Sequence, residues 1–499
     1  MDYNSLLKAS AEPMASSMIE TFRAIGYSLE TAVADIIDNS VSADAKNIWI
    51  ERIWRGGKSI ITIKDDGKGM SGDEIITAMR PGSRNPLESR SSKDLGRFGL
   101  GLKTASFSQC RKLTVMSKKA DYSPVFWTWD LDYVADTNKW ELIKWIPEEF
   151  TNALDDVETG TIVIWSDLDR VINNNVSESD ENAKMKFSTS LDRVKNHIAM
   201  TFHRFIENNV FTLYWSKHKI EPWNPFCLSE NKIQTQPLEN IRGGVTVKGY
   251  VLPHQNSFSS EAAYKKAEGM YGWSGHQGFY IYRGKRLLLA GDWLGLFRKE
   301  EHYKLVRIQV DLPNTLDSEW QIDIKKSRAF PPSSCREQLE AYAKVIRKMG
   351  AEVYRHRGKI LKQRAGVSFQ PLWLEKKKDD KWSFVVNREN QIVKTVKDMA
   401  KDNPDQAIET LLRYIEEAIP TPSIFIKEVE DNEKPKEPFS DISEDLIKSM
   451  LVPIYNNKIA EGFTVEQAKK YLCGIEPFNN YEPLIEALGY DERRFAKGI

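Results

Sequence analysis

The sequence predicts an α+β protein: two α/β domains in succession, followed by a helical C-terminal region. Three observations lead there. β-rich runs alternate with helical patterns up to about residue 330. An amphipathic helical pattern opens directly after Pro331 and Pro332. A charged stretch, KEVEDNEKPKEPFSDISED, is poor in apolar residues and reads as a linker. The expected divisions are 1–170 and 171–332 for the two α/β domains and 333–426 for a long basic helix with a small α/β segment. A linker at 427–445 and a helical module at 446–499 complete the chain.

In the first domain the helical segment SLETAVADIIDNSVSADA precedes the β-rich runs NIWIERIW, IITIKDD, KLTVMSKK, VFWTWDLDYV and TGTIVIWSDL. The second domain offers LYWSK, VTVKGYVL, GFYIYRGKRLLL and YKLVRIQVDL, with a helical pattern around FSTSLDRVKNHIAMTFHRFI between the two sets. From Ser333, residues Leu339, Tyr342, Ile346, Met349, Val353 and Ile360 recur at three-and-four spacing.

Composition bounds the function. At 499 residues the chain exceeds one compact core, and 41% hydrophobic residues argue against a mostly disordered one. Lys+Arg and Asp+Glu both total 71, so a uniformly basic nucleic-acid coat is excluded while a local basic patch is not. Cys110, Cys227, Cys335 and Cys473 form no CxxC pair, so neither a zinc knuckle nor a disulfide framework is readable. The start lacks a signal-peptide pattern, and no run approaches the ~20 apolar residues that span a bilayer. A cytoplasmic protein without a membrane partner is expected.

Four short motifs carry the chemistry. On the helix 28–45, Asp35, Asp38, Asn39 and Ser42 share one stripe, because steps of three, four and seven return to nearly the same face. Alone, such a stripe is an ordinary solvated face. About twenty residues on, IITIKDDGKGM sets Asp65 at a strand end before Gly67 and Gly69, small residues that would admit a flat ligand close to the backbone. GRFGLGLKTAS spaces Gly96, Gly99 and Gly101 ahead of a helical run, a pattern that frees backbone N–H groups for phosphate. TGTIVIW places Thr161 at the start of a strand.

In order and spacing these resemble the four boxes of the GHKL ATPases, the Bergerat-fold group that includes gyrase B, MutL, histidine kinases and MORC proteins. IIDN, GRFGLGLK and GTIVIW are most like the MORC-like and MutL-like members, including the bacterial MORC-like type. The resemblance implies a Bergerat-fold ATP-binding domain followed by a transducer-type α/β domain, to which YIYRGKRLL and WQIDIKKSRAFPP would belong. It implies ATP and Mg2+ as ligands. Asn39 would hold the metal. Asp65 would accept a hydrogen bond from the adenine amino group, with Thr161 beside it and Gly67, Gly69 and Met70 lining the base. Gly96, Gly99, Gly101 and Lys103 would embrace the phosphates, and Ala43, Arg97, Phe98, Leu100 and Thr104 complete the expected binding set.

Two departures matter. The family usually has glutamate four residues before the asparagine as general base, and here that position is Asp35, one methylene shorter. Ser42 stands where MutL-like proteins have an acidic residue. Glu30, on the opposite face of the helix from Asn39, is rejected as a substitute base. The segment between Met70 and Gly96 corresponds to the family's lid. Lys325 or Lys326 is the candidate for the transducer lysine that reaches the γ-phosphate, and Lys326 is preferred.

The basic residues Lys344, Arg347, Lys348, Arg355, Arg357, Lys359, Lys362 and Arg364 could face DNA phosphates or simply solvent. The resulting expectation is a Mg-dependent ATPase acting as an ATP-gated homodimeric clamp or switch on DNA or a DNA-processing complex. A separate nuclease or other effector subunit would do any cutting, and bacterial antiviral defence is a setting the resemblance implies. The alternative is a nucleotide-gated binding protein or chaperone with little hydrolysis; a histidine kinase fits poorly, because its nucleotide domain normally lies C-terminal.

Overall fold

The computed structural model describes residues 6–83 except 10, and 100–355 except 317, 318, 324 and 327. Of the remainder it describes 372–378, 381–390, 393–394, 397–398, 400–420, 424, 436, 438–440, 442–475, 478 and 481–489. Two compact units divide the chain, Met1–Leu361 and Lys362–Ile499.

The first unit begins with α1 (Ala15–Arg23), α2 (Leu29–Ser42), β1 (Asn47–Ile53), β2 (Ile60–Asp65), α3 (Gly72–Met79), α4 (Gly101–Phe107), β3 (Lys112–Lys118) and β4 (Val125–Asp130). It continues through α5 (Leu131–Thr137), β5 (Gly160–Ser166), α6 (Glu181–Thr201), α7 (His203–Glu207), β6 (Thr212–Trp215) and β7 (His218–Lys219). These strands form a seven-stranded sheet in the order β4-β3-β5-β2-β1-β6-β7. Its pairs are antiparallel except β1 with β6. The sheet therefore runs past residue 170, where the sequence places the domain edge. The reason is that α6 buries Phe187, Leu191, Val194 and Ile198 in the same core as α2 and the sheet, and carries the chain back to pair beside β1.

The helix α2 positions the site. Ser28 caps it by accepting the Thr31 N–H at 3.3 Å, and Glu30 lies in its positive first turn. Ala32, Val33, Ile36 and Ile37 are buried in one core with Ile48, Ile50, Ile61 and Ile63 of the sheet, each large side chain contributing about 1.5–3 kcal/mol.

A second six-stranded sheet contains β8 (Gln234–Thr235), β9 (Glu239–Ile241), β10 (Val245–Val251), β11 (Gly278–Arg283), β12 (Arg286–Asp292) and β13 (Val306–Leu312), with the short helices α8 (Glu261–Ala267) and α9 (Gly272–Gly275). Its main path is β12-β11-β13-β10-β8, and β9 pairs with β10. The helix α10 (Ser333–Arg355) buries Leu339, Tyr342, Ala343, Ile346 and Val353 in the core of this sheet, so it belongs to the second domain rather than to a separate segment. Its start at Ser333 matches the proline signal. Arg357, Lys359, Lys362 and Arg364 lie outside the described residues.

Within the expected basic stripe, Arg347 turns inward. Its guanidinium carbon lies 3.8 Å from the Tyr303 ring centroid and 4.1 Å from that of Phe297. Lys344 pairs with Glu340 at 2.8 Å, and Lys348 is exposed.

In the second unit β14 (Trp373–Lys378) and β15 (Lys381–Val386) form an antiparallel hairpin, and a helix spans Pro404–Glu417. Helices Glu444–Ala460, Val465–Cys473 and Glu482–Glu486 share a small core of Ile447, Leu451, Tyr455, Ala468, Leu472 and Ile485. Most of the expected linker at 427–445 lies outside the described residues. Among the described residues no helix is long and apolar enough to cross a membrane. All four cysteines are free.

The inward position of Arg347 separates packing from surface charge. Arg347→Ala is expected to destabilise the fold by about 1–3 kcal/mol, and Lys348→Ala to stay within about 0.5 kcal/mol of wild type, as read by denaturant unfolding.

Candidate nucleotide-binding and hydrolytic site

The acidic stripe of α2 is not a solvated face. Asp35 is 3% exposed and Asp38 2%, whereas Asn39 beside them is exposed. A buried carboxylate is tolerated only when charges or donors compensate its lost hydration, and here the second domain supplies them. Arg286, at the start of β12, donates through Nε to Asp38 Oδ1 at 2.8 Å and through Nη2 to Asp35 Oδ1 at 3.4 Å. Lys326 Nζ lies 3.1 Å from Asp35 Oδ1 and 2.5 Å from Asp38 Oδ2. Lys325 instead points its Nζ at the Gly26 carbonyl, 3.4 Å away. Of the two lysines, Lys326 is the one beside Asp35.

The other oxygen of Asp35 has a different neighbourhood. Tyr27 donates its hydroxyl to Oδ2 at 2.8 Å. At Gly101, the first residue of α4, an added Cβ would lie 3.5 Å from the same Oδ2. Burial raises the pKa of Asp35 and Asp38 adds to the rise, while Lys326, Arg286 and Tyr27 oppose it. Burial, then the Asp35 charge, hold the Tyr27 hydroxyl well above its ordinary value. His197, on α6, is half-buried and pushed down to about 4, first by loss of hydration and then by Arg286, so it is neutral near pH 7. Glu30 pairs with Arg193 of α6 at 3.1 Å, away from this cluster.

A third buried carboxylate, Asp65, lies at the end of β2. Asp65 closes β2 in register with Thr161 of β5. Ser40 Oγ donates to its Oδ2 at 2.7 Å, and the Gly67 N–H donates to Oδ1 at 2.9 Å. Burial raises its pKa against these bonds. With the Thr161 backbone N–H as a third donor, the carboxylate keeps one lone-pair site for a further donor such as an adenine amino group.

Thr161 Oγ1 lies 2.8 Å from Ser117 Oγ, which also accepts the Met70 N–H at 2.8 Å. The glycines act differently from the expectation of open space for a ligand. A Cβ at Gly67 would fall 2.8 Å from Ala43 Cβ, and one at Gly69, where φ is +66°, would fall 2.0 Å from the Lys118 carbonyl oxygen. The chain itself fills that space, so these positions need glycine for the close passage of backbone.

The remaining expected residues divide. Leu100 and Gly101 begin α4, and Thr104 Oγ1 donates to the Leu100 carbonyl at 3.1 Å. Lys103 is buried, with Nζ donating to the Ala78 carbonyl in α3 at 2.9 Å, and is thus directed into the protein here. Gly96, Arg97, Phe98 and Gly99 lie outside the described residues. Sequence reasoning missed Arg286, Tyr27, Ser40 and Ser117. The RGKR turn was visible, but nothing in one sequence tells which of its cations crosses to another domain.

Residues 27–161 match the family model described as histidine kinase-, DNA gyrase B- and HSP90-like ATPase, and the three buried carboxylates Asp35, Asp38 and Asp65 fall inside that span. The N-terminal domain is a GHKL ATPase domain. The chain is 32% identical over 89 residues to the ATPase morc-1 of Caenorhabditis elegans, covering 18% of this chain and 10% of that protein. It is 30% identical over 115 residues to the DNA mismatch repair protein MutL of Dictyoglomus turgidum, covering 22% and 20% respectively. With MutL of Clostridium beijerinckii it shares 36% identity over 91 residues, 18% of this chain and 14% of that protein. The matched region thus spans a fifth or less of these relatives' own lengths. What the likeness to a GHKL domain supports is the nucleotide site, not the activity of a whole relative.

Magnesium fits the donor set in one respect. Asn39 offers an exposed oxygen on the face that carries Asp35, whereas Asp38 is already engaged by two cations. Among the described residues no group of three or more His, Cys, Asp or Glu side chains is arranged for a metal.

Replacing Asp65 by asparagine removes a charged acceptor at the residue expected to meet the adenine amino group. Asp65→Asn is expected to weaken ATP binding by roughly 10- to 100-fold, corresponding to about 1.5–3 kcal/mol for a hydrogen bond to a charged group, as measured by calorimetric titration.

Proposed function

We propose that the protein is a Mg-dependent ATPase that works as an ATP-gated switch. Two copies close through their N-terminal domains when ATP is bound and reopen after hydrolysis. The observation that carries this reading is the meeting of Arg286 and Lys326, from the second domain, with Asp35 on α2. One carboxylate is then both the base for water and the contact between domains, so nucleotide chemistry and domain geometry are linked.

In this reading ATP places its adenine amino group at Asp65 and its triphosphate near Gly101 at the start of α4. Asp35 Oδ2 polarises the attacking water, and Tyr27 fixes the orientation of that carboxylate. Lys326 has a flexible stem and can exchange Asp35 for the γ-phosphate. Magnesium would be held by the Asn39 side-chain oxygen together with the nucleotide and, when bound, neutralises charge on the triphosphate.

The relatives' names support DNA or a DNA-processing complex as the target, with an effector such as a nuclease as a separate subunit. A cytoplasmic, bacterial antiviral role belongs to the same proposal and rests on the resemblance to MORC-like ATPases. A second reading, a nucleotide-gated binding protein that barely hydrolyses, is favoured by one observation: Oδ1 of Asp35 already holds two cations, which weakens it as a base.

The test is phosphate release from ATP by wild type and Asp35→Ala with magnesium, with and without duplex DNA, with oligomeric state followed by light scattering. Loss of hydrolysis in the variant with ATP-dependent dimers retained is the expected result. ATP binding without any turnover in wild type would instead establish the second reading.

A pH profile adds a signed expectation. Asp35 must be ionised to accept a proton, and burial raises its pKa, so hydrolysis should fall on acidification at a pH above the ordinary carboxylate range. Tyr27→Phe removes a hydrogen bond to the ionised form and should move this acid limb further upward.

A further inference from the structure

The two cations that meet α2 are built differently. Lys326 stands in a loop between β13 and α10, at the end of a flexible stem. Arg286 is 3% exposed and rigidly backed: its Nη1 donates to the Leu287 carbonyl at 3.2 Å, and its guanidinium carbon lies 5.8 Å from the Phe202 ring centroid. Its planar fork spans two carboxylates one helical turn apart, Nε on Asp38 and Nη2 on Asp35.

The oxygens of Asp35 are thereby sorted. Both cations address Oδ1, while Oδ2 receives the Tyr27 hydroxyl and looks toward Gly101. A carboxylate rotates about its last torsion with little resistance, so something must hold it if one oxygen is to face the nucleotide side in every turnover.

We propose that Arg286 is a positioning residue of the hydrolytic site, pinning Oδ1 of Asp35 against the second domain so that Oδ2 is presented beside Gly101. This rests on the ATPase reading above. Arg286 touches neither nucleotide nor water in this role; it acts through Asp35, with Asp38 as its anchor. When Lys326 leaves Asp35 for the triphosphate, Arg286 is the cation that stays and keeps the carboxylate aimed. The assignment differs from a plain interdomain ion pair. An ion pair alone would change stability and leave the chemical step untouched, whereas a mis-aimed base lowers kcat with ATP binding intact.

The test is steady-state ATP hydrolysis by the full chain, comparing wild type, Arg286→Gln, Arg286→Lys and Asp38→Asn, with thermal unfolding measured alongside. Arg286→Gln is expected to lower kcat by about tenfold to a hundredfold while the KM for ATP stays within about twofold. Arg286→Lys should recover only part of kcat, because an ammonium supplies charge without the fork. Asp38→Asn, nearly the same shape, removes the anchor and should lower kcat in the same way; it serves as the test should Arg286→Gln fail to fold. Unchanged kcat in the folded variants, or a loss expressed wholly in KM, overturns the assignment while wild-type turnover leaves the ATPase reading standing. Absence of turnover in wild type removes that reading, and the positioning role with it.

Discussion

The burial of two like charges one helical turn apart is the constraint around which the first unit is organised. Asp35 and Asp38 are both withdrawn from water on one face of α2, which costs several kcal/mol unless charges or donors compensate it. Arg286 and Lys326 provide that compensation, and both come from beyond the first sheet. The acidic face of α2 therefore serves as the seat of the second domain. A helix that is apolar toward its own sheet and anionic toward its neighbour holds the two domains by different physics on its two sides.

The same helix also orients the third buried carboxylate. Ser40, on α2, donates to Asp65 on β2, so the carboxylate at the strand end is oriented by the helix that carries Asp35. The backbone crowding at Gly67 and Gly69 fixes the turn after Asp65 against Ala43, at the end of α2, and Lys118 of β3. One rigid element thus sets the relation between Asp65 and Asp35. A displacement of α2 would be felt at both carboxylates.

Much of this was legible in order and spacing. The two α/β domains, the strand ending in Asp65, the helix carrying Asp35 and Asn39, and the helix beginning at Ser333 follow from periodicity and from Gly and Pro positions. The domain edge was less legible, because β6 and β7 join the first sheet through a parallel pairing after a long helix, and parallel neighbours leave no local turn signature. Counting charges along α10 likewise missed the inward turn of Arg347, since a guanidinium can stack on aromatic rings as readily as it can face solvent.

By itself the sequence determined which residues could do chemistry: the carboxylates, the asparagine one turn beyond Asp35, and the glycine spacing that resembles a GHKL nucleotide site. Local patterns suffice for that, because side-chain type and helical phase are properties of neighbouring residues. The tertiary structure alone decided how those groups are used. It buried Asp35 and Asp38 rather than leaving them in water, set Lys326 and not Lys325 beside them, brought in Arg286 and Tyr27, and divided the oxygens of Asp35 between two environments. The contacts of Arg286 and Lys326 join residues some 250 to 290 positions apart in the chain. Desolvation and charge pairing set the strength of such contacts only once folding has brought the partners together.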